Sequence, residues 1–327
     1  MKESYFKGKK KIVVELPFGL GDQIMCFPLF ASIKKAIPDS IITVLSPNKN
    51  STTILSKNKF IDNIYEYGLT KFSYFEIFKF FIKKFYKLWY FFKKNSFDIF
   101  IIVHPNLFRT ILIKLLPYKY LLLNIENVHK TKEVLNILNK LGIKPVYDYS
   151  MEINDNKDIL SKIGLKSNNY ILLDVYAQHL DADPRQWPYF IELIEKLQKK
   201  KKKVVIAGLN PAHKYRKDII DIVNKTSLEE LLIVIKNAKL VVAMDSGIFH
   251  FAYSLGKPLI GIFGPINPKE RIPFNKKLKV KTIYKNKECS PCIINKVNIK
   301  CKNRSNPYGC VKDIHVDEVM KAIENMP

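Results

Sequence analysis

The feature that most constrains the fold is an alternation of short apolar segments with amphipathic segments of helix length. The first cycle runs from an apolar stretch at residues 11–16, through a glycine turn, to a helical pattern at residues 22–36 and a second apolar stretch at residues 41–45. Such a strand, helix and strand series is typical of parallel sheets covered by helices. We therefore predict an α/β fold.

The same alternation continues to the end of the chain, with one interruption. Between residues 145 and 169 the pattern lapses into polar sequence, so we place a boundary there and predict two parallel-sheet domains, 1–155 and 156–327. Further strands are predicted at residues 97–103, 120–123, 170–175, 203–207, 240–243 and 258–263. Further helices are predicted at residues 107–116, 130–141, 189–198, 212–223, 228–237, 248–255 and 315–325.

The charge balance has two interpretations, an anionic partner or the Lys-rich composition expected of an AT-rich genome. The 327 residues carry 55 Lys and Arg against 30 Asp and Glu, a formal net charge of +25. Only five of the basic residues are Arg, the side chain that nucleic-acid readers favour, so we expect no nucleic-acid partner. A basic module that binds a membrane surface or nucleic acid stays open as an alternative of another class. With no apolar run long enough to span a bilayer and no signal-peptide core, a cytoplasmic location is expected, with contact to the inner membrane face left open.

Residues 71–94 form an unusual segment that holds twelve aromatic residues, seven Lys and the single acid Glu76. Glu76, Lys79, Lys83 and Lys87 are spaced by three, four and four residues, which places them on one stripe of a helix. Such a helix can lie on an anionic membrane, or it can pack on the first domain with its lysines in water. Both interpretations stay open.

The glycine turn is not a dinucleotide fingerprint. Gly19 and Gly21 follow a strand, but Ile24 occupies the third glycine position and no acid follows the second strand. Asp22 at the first turn of the next helix lies beside a glycine-lined space, where it either caps the helix or meets a substrate.

A second turn, at residues 242–250, joins a strand to a helix start. The backbone amides of Ser246, Gly247 and Ile248 lie at the positive end of that helix, which suits a phosphate. His250 follows one helical turn later and faces the same place.

Several motifs in order resemble glycosyltransferase family 9, the heptosyltransferases of lipopolysaccharide assembly. The matching segments are residues 19–24, 27–29, 38–39, 41–45, 185–188 (Arg-Gln-Trp-Pro), 228–238, 245–247, 250–252, 256–258 and 263–265. The resemblance implies a GT-B architecture, with two Rossmann-like domains facing a central cleft and a last helix that returns to the first domain. It also implies inverting transfer of a heptose or related sugar from a nucleotide donor, ADP-heptose, to a lipopolysaccharide core or other lipid-linked acceptor.

The resemblance implies roles for particular residues. Asp22 would take the proton of the attacking hydroxyl, and Arg185 would stabilise the departing diphosphate. The other residues assigned to the donor are Gly21, Thr226, Asp245, Ser246, Gly247 and His250. Those assigned to the acceptor are Gly19 and Arg109. No cofactor is needed for this chemistry.

Four cysteines, Cys289, Cys292, Cys301 and Cys310, are spaced closely enough to form a tetrahedral thiolate site for zinc or iron. The alternative is four unligated thiols. Family relatives that glycosylate autotransporter proteins are similar in this region and carry iron, which leaves a protein heptosyltransferase as an alternative function.

Overall fold

The chain divides into two units, Met1–Glu152 and Ile153–Pro327, and each contains a parallel β-sheet. The computed structural model describes residues 10–69, 73–104, 106–123, 134–154, 158–176, 184–208, 219–292, 301 and 303–326. The division falls three residues before the boundary placed on the sequence after residue 155.

The sheet of the first unit has five strands in the order β3-β2-β1-β4-β5, all parallel. The strands are β1 (Lys11–Glu15), β2 (Ile41–Ser46), β3 (Asn63–Glu66), β4 (Ile99–Ile102) and β5 (Tyr120–Leu123). Val13 of the central strand is fully buried and pairs with Thr43 on one side and Phe100 on the other. The four predicted strands are confirmed. β3 was not predicted, because this short edge strand has no clear alternation of apolar and polar residues.

Helices flank this sheet, and two of the predicted ones are broken in the structure. They are α1 (Leu20–Met25), α2 (Phe27–Ala36), α3 (Lys49–Leu55), α4 (Tyr74–Lys83), α5 (Phe85–Asn95), α6 (Leu107–Leu115) and α7 (Asn136–Lys140). The helix predicted at residues 22–36 breaks at Cys26, because Pro28 has no N–H to continue the ladder. The helix predicted at residues 71–94 breaks at Lys84, whose φ of −125° is not helical. Residues 130–133 of another predicted helix lie outside the described residues.

The sheet of the second unit has six parallel strands in the order β11-β10-β9-β6-β7-β8. They are β6 (Ile171–Tyr176), β7 (Val204–Gly208), β8 (Ile220–Asp221), β9 (Leu240–Met244), β10 (Leu259–Phe263) and β11 (Val280–Tyr284). The helices are α8 (Asp158–Lys162), α9 (Phe190–Lys199), α10 (Leu228–Asn237), α11 (Gly247–Ser254), α12 (Gly309–Lys312) and α13 (Val316–Glu324). The helix predicted at residues 212–223 is wrong at its C-terminal end, where Ile220 and Asp221 pair with β7 as an edge strand. Residues 209–218 lie outside the described residues.

The last helix, α13, belongs to the second unit. Val319 and Ala322 on its apolar face are buried in the core of this unit. The Lys196 Nζ lies 2.6 Å from Asp317 Oδ1, which ties the polar face of α13 to α9. The apolar face of this helix packs into the second unit, and its return toward the first domain stays a prediction.

A buried ion pair lies at the centre of the first unit. Glu15 ends β1 and Arg109 lies on α6, and both side chains are 1% exposed. The Arg109 Nε donates a hydrogen bond to the Glu15 carboxylate, and its Nη2 donates to the Leu16 carbonyl oxygen at 2.5 Å. The pair therefore ties α6 to the strand end from which the glycine turn begins.

We expect Arg109→Ala to destabilise the protein strongly. The substitution leaves the Glu15 carboxylate buried without a counter-charge, which typically costs about 3–5 kcal/mol. The double variant Glu15→Leu/Arg109→Met should recover most of that loss, since an apolar pair of similar volume needs no compensation. Urea unfolding followed by circular dichroism measures both changes. A loss below about 1 kcal/mol for Arg109→Ala would contradict the buried pairing.

Candidate active site

The glycine turn of the first unit presents a carboxylate at the start of a helix. Asp22 lies in the first turn of α1 and is half-buried, whereas Gly19 just before the helix is exposed. A Cβ atom at Gly19 would lie 2.5 Å from Asp22 Oδ2. Only glycine therefore lets the carboxylate lie over this turn. The predicted proximity of Asp22 and Gly19 is thus present in the structure.

Gln23, which the sequence did not single out, braces this turn. Its side chain is fully buried, and its Nε2 donates hydrogen bonds to the Pro17 carbonyl oxygen and to Ser51 Oγ, both at 2.9 Å. Ser51 lies on α3, so the turn is held from the neighbouring helix. The partner lies 28 residues away in the chain, which is why local sequence did not reveal the contact.

Arg109 is not positioned to bind an acceptor, and this corrects the expectation from the resemblance. Its guanidinium is occupied inside the core by Glu15 and Leu16, and its Cζ lies 5.7 Å from the centre of the Phe18 ring. Arg109 supports the glycine turn through its contacts with Leu16 and Phe18, the residues that lead into it. A buried guanidinium with these partners acts on the turn's position and not on a ligand.

In the second unit, two buried carboxyl groups lie at the ends of paired strands. Asp174 lies in β6, Asp245 follows β9 directly, and these two strands are paired. Ser246 follows Asp245 and caps α11 by accepting a hydrogen bond from the Phe249 N–H at 3.4 Å. The Ser246 hydroxyl donates to the Asp174 carboxylate. The carboxyl ends of parallel strands are the usual place of a ligand site in such sheets.

Two arginines and a histidine lie around Asp245, which is itself buried. Arg185 Nη1 donates a hydrogen bond to the Asp245 carbonyl oxygen at 3.0 Å. Arg271 Nε lies 3.5 Å from Asp245 Oδ2, and His250 Nε2 lies 3.8 Å from Oδ1. His250 Nδ1 lies 2.9 Å from the Tyr253 hydroxyl, which fixes the ring from its other side. Four of the residues predicted for the donor site are therefore together: Arg185, Asp245, Ser246 and His250.

The surroundings of Asp245 keep it ionised. Burial opposes the charge, but Arg271, His250 and Arg185 outweigh it and lower the pKa of Asp245 to about 2. Arg271, which sequence reasoning missed, is the largest of these opposing influences. The Asp245 carboxylate therefore pairs with Arg271 before the start of α11, while the Asp245 carbonyl oxygen holds Arg185.

Asp174, which sequence reasoning also missed, has a raised pKa, in contrast to Asp245. Complete burial raises its pKa to about 7, and the Ser246 hydrogen bond and Arg185 offset only part of that rise. Two buried carboxyl groups at the ends of paired strands, with pKa values near 2 and 7, are an arrangement typical of functional sites.

The turn that carries Arg185 is anchored by a tryptophan. Trp187 is fully buried, and its Nε1–H donates to the Ile314 carbonyl oxygen at 2.8 Å. Its backbone N–H donates to Met244 Sδ at 3.3 Å, at the end of β9. This explains physically why an indole follows Arg185 by two residues: it fixes the arginine beside the β9 turn.

Of the remaining predicted residues, Gly247 adjoins this group as the first residue of α11, beside the Ser246 cap. The others lie elsewhere. Thr226 comes just before Ser227, the N-cap of α10, and so belongs to a different helix start. Gly21 is the second residue of α1 in the first unit.

Four thiols line one cavity in the second unit. The cavity measures about 50 Å³, and its walls include Cys289, Cys292, Cys301 and Cys310. Burial raises the pKa of the Cys310 thiol to about 11, and the three neighbouring thiols add to the rise. In the described ranges no three His, Cys, Asp or Glu side chains are arranged as the ligands of a metal ion. The predicted grouping of the cysteines is thus present without ligand geometry.

This cavity is attached to the end of β10. Ser290 Oγ donates to the Gly264 carbonyl oxygen at 2.5 Å, and the Cys292 N–H donates to the Pro265 carbonyl oxygen at 2.9 Å. A Cβ atom at Gly264 would lie 3.2 Å from Cys310 Sγ and closer still to a side chain of α12. Glycine at this position therefore allows the thiol-bearing helix to pack on the strand end.

Comparison with known proteins identifies relatives. The sequence profile of glycosyltransferase family 9 (heptosyltransferase) matches residues 128–302, which is more than half of the chain. Lipopolysaccharide heptosyltransferase 2 of Salmonella typhimurium is 29% identical over 110 residues, or 29% of this chain and 32% of that protein. The aligned segment thus spans about a third of the length of that curated relative.

Solved structures share the fold. The ADP-heptose lipopolysaccharide heptosyltransferase II of E. coli superposes with a TM-score of 0.73 at 17% identity, covering 96% of this chain and 97% of that one. The iron-containing dodecameric glycosyltransferase TibC of enterotoxigenic E. coli H10407 gives a TM-score of 0.61 at 13% identity, covering 97% and 78%. At these identities the likeness establishes the two Rossmann-like domains and nothing finer.

We expect the pH dependence of stability to change in Asp174→Asn. The folded state keeps the Asp174 proton up to a pH of about 7, whereas the unfolded chain releases it near the ordinary value of 3.8. Between these values the folded state binds more protons, so this group's contribution to stability is full below 3.8 and is lost as the pH rises through 7. The free energy of unfolding of the variant, relative to that of the wild type, should therefore rise from pH 5 to pH 8, by a few kcal/mol at most.

Thermal unfolding at several pH values measures this difference, with the exposed Asp39→Asn as the matched control. The control measures the effect of the same substitution at an exposed position. A difference between Asp174→Asn and the wild type that stays constant with pH would show that Asp174 ionises normally in the folded protein.

Proposed function

The chain belongs to glycosyltransferase family 9, and we propose that it transfers a heptose from ADP-heptose to the core of a lipopolysaccharide. The observation that carries the proposal is the start of α11, where Arg185 contacts the carbonyl oxygen of Asp245, Arg271 lies by its carboxylate, and the helix presents its first amides. Two guanidinium groups and a helix N-terminus form a cationic site for a nucleoside diphosphate. The curated relatives named as lipopolysaccharide heptosyltransferases support the sugar and the acceptor.

The donor's diphosphate binds at this helix start in the proposal. The amides of Gly247 and Ile248 and the guanidinium of Arg185 meet the phosphate oxygens, and Asp245 keeps both arginines oriented. As the bond between the anomeric carbon and the diphosphate breaks, negative charge grows on the leaving oxygen. Fixed cations and amides stabilise that charge without reorganisation.

Asp22 acts as the general base. A hydroxyl oxygen of the acceptor attacks the anomeric carbon from the face opposite the diphosphate, the diphosphate leaves with its bonding electron pair, and the hydroxyl proton passes to the Asp22 carboxylate. The geometry that supports this role is the carboxylate lying over Gly19, at a half-buried and reachable position.

We expect Asp22→Asn to fold normally and to lose transfer by roughly 100-fold to 10,000-fold, because the amide keeps the shape but accepts no proton. Release of nucleoside diphosphate from ADP-heptose in the presence of acceptor measures the rate. Asp39→Asn, at an exposed site, is the matched control and should keep wild-type turnover. Wild-type turnover in Asp22→Asn would assign the proton to another group.

A protein acceptor is the second candidate. The four-cysteine cavity favours a protein acceptor, because the structurally similar TibC contains iron and the family relatives that resemble this chain in the cysteine region glycosylate proteins. Mass spectrometry of the product distinguishes a glycosylated polypeptide from a glycosylated lipid. A basic module that only binds a surface or nucleic acid would release no diphosphate in either assay.

We also propose that Cys289, Cys292, Cys301 and Cys310 hold one zinc or iron ion with a structural role. Four sulfur donors around a cavity of about 50 Å³ suit a thiophilic ion, although the thiols must close in to reach bonding distance. The metal would supply a fixed link between the end of β10 and α12, and it takes no part in sugar transfer.

Metal analysis of protein purified without an affinity tag and kept reduced should give about one zinc or iron ion per chain. The double variant Cys292→Ser/Cys301→Ser should lose the metal and melt at a lower temperature. Cys26→Ala is the control, because Cys26 is buried in the first unit and should leave the metal content unchanged. Absence of metal in the wild type, together with an unchanged melting temperature in the double variant, would leave four ordinary thiols.

A lipid-linked acceptor requires the enzyme to work at a membrane. We therefore propose that the protein acts at the inner face of the cytoplasmic membrane.

A further inference from the structure

Helices α4 and α5 expose a row of large apolar side chains to water. Five of them recur at every fourth residue, which places neighbours on one side of each helix. The exposed fractions range from 53% to 87%. We call this set the aromatic surface, and its members are Tyr74, Phe75, Phe78, Ile82, Tyr86 and Tyr90.

The aromatic surface is not needed for the core of the first unit. The opposite side of the same helices already supplies buried residues, Phe80, Leu88 and Phe92. The Phe80 ring lies 5.5 Å from that of Phe108, and the Phe92 ring lies 5.3 Å from that of Phe100 in β4. The helices are therefore anchored by one side, which leaves the other without a packing role among the described residues.

Lysines surround the aromatic surface. From Tyr74 to Asn95 there are six lysines and one acid, Glu76, whose Oε1 lies 3.8 Å from Lys79 Nζ. All six lysine side chains are exposed: Lys79, Lys83, Lys84, Lys87, Lys93 and Lys94. The surface thus combines apolar rings with a net positive charge.

The apolar rings and the positive charge together distinguish between two partners for the aromatic surface, a second copy of the chain and an anionic bilayer. In a symmetric dimer through this face, the lysines of one copy would lie against those of the other, and like charges would repel. An anionic bilayer surface accepts both features, because aromatic rings favour the headgroup interface and lysines favour acidic lipids. Contiguous exposed apolar patches of this kind mark interaction sites.

The helices fit the plane of an interface and not a span across it. At 1.5 Å per residue, ten and eleven residues extend about 15 Å, roughly half of a bilayer's apolar thickness. Among the residues that the structure describes, no helix has the length and apolar content to cross a membrane.

We infer that the aromatic surface docks on the headgroup region of an anionic phospholipid bilayer. The inference deepens the proposed function, because it supplies the surface that brings the enzyme to a lipid-linked acceptor. Vesicle binding itself needs neither donor nor acceptor, so it is tested separately from sugar transfer.

The test uses the full-length protein and vesicles of phosphatidylcholine, with and without phosphatidylglycerol. Wild-type protein should sediment with the anionic vesicles and much less with the neutral ones, and added salt should weaken the binding. Trp89 lies on α5 with Lys93 Nζ 5.1 Å from its ring, whereas the other tryptophan, Trp187, is fully buried in the second unit. A blue shift of emission on binding, absent in Trp89→Phe, would therefore report contact at this helix.

Two variants separate the contributions. Phe78→Ser/Tyr86→Ser should lower partition into anionic vesicles by at least about tenfold, because binding scales with the apolar area inserted. Lys83→Gln/Lys87→Gln should lower it as well and reduce its dependence on salt. The matched control is Ile191→Ser/Phe274→Ser, which changes two exposed apolar residues of the second unit and should bind like the wild type.

Failure of the wild type to bind anionic vesicles, or equal binding by the Phe78→Ser/Tyr86→Ser variant, would overturn the inference. A dimer that this variant abolishes, without vesicle binding, would assign the surface to a second copy instead. With a deacylated, water-soluble acceptor the Phe78→Ser/Tyr86→Ser variant should keep wild-type turnover. With acceptor embedded in vesicles, this variant should lose that turnover. Vesicle binding in a protein that transfers no sugar would contradict the proposed function and leave the docking surface standing.

Discussion

Parallel pairing of the strands is the constraint on which the rest of the structure depends. In each sheet all strands run the same way, so their carboxyl ends lie along one edge and the turns that leave them are neighbours. Asp22 follows β1, Asp245 follows β9, and Gly264 follows β10. The carboxylates, the helix start and the thiol cavity are all at such strand ends, although they are distant in sequence.

The two basic residue types have separate functions in this chain. Three of the four described arginines lie beside carboxyl groups or carbonyl oxygens at buried or half-buried positions, and they are Arg109, Arg185 and Arg271. Lysines supply the bulk of the positive charge and lie mostly in water. The guanidinium tolerates burial because it forms several fixed hydrogen bonds and is weakly hydrated, whereas the ammonium group retains its hydration. The large net charge is therefore a surface property, and the few arginines organise the interior.

Local periodicity was enough to predict most strands, but it did not reveal contacts between distant residues. Continuous apolar runs such as those of β1 and β9 indicated buried strands directly. Asp174 was missed because a single aspartate inside an apolar strand gives no sign of its partner, Ser246, 72 residues later. Arg109 was assigned to the acceptor because sequence does not show that Glu15 occupies its guanidinium. The grouping of the four cysteines followed from spacing, whereas the distances between their sulfur atoms depend on how β10 and α12 pack.

The tryptophan that anchors the Arg185 turn makes this part of the second unit depend on a distant part of the chain. The acceptor of its indole N–H is the carbonyl oxygen of Ile314, two residues before α13 begins. Removing the chain from that point on would leave a polar N–H in an apolar core and would also expose the core residues that α13 covers. The segment that leads into the C-terminal helix therefore holds the Arg185 turn in place, and the position of one arginine is set by residues more than a hundred positions away.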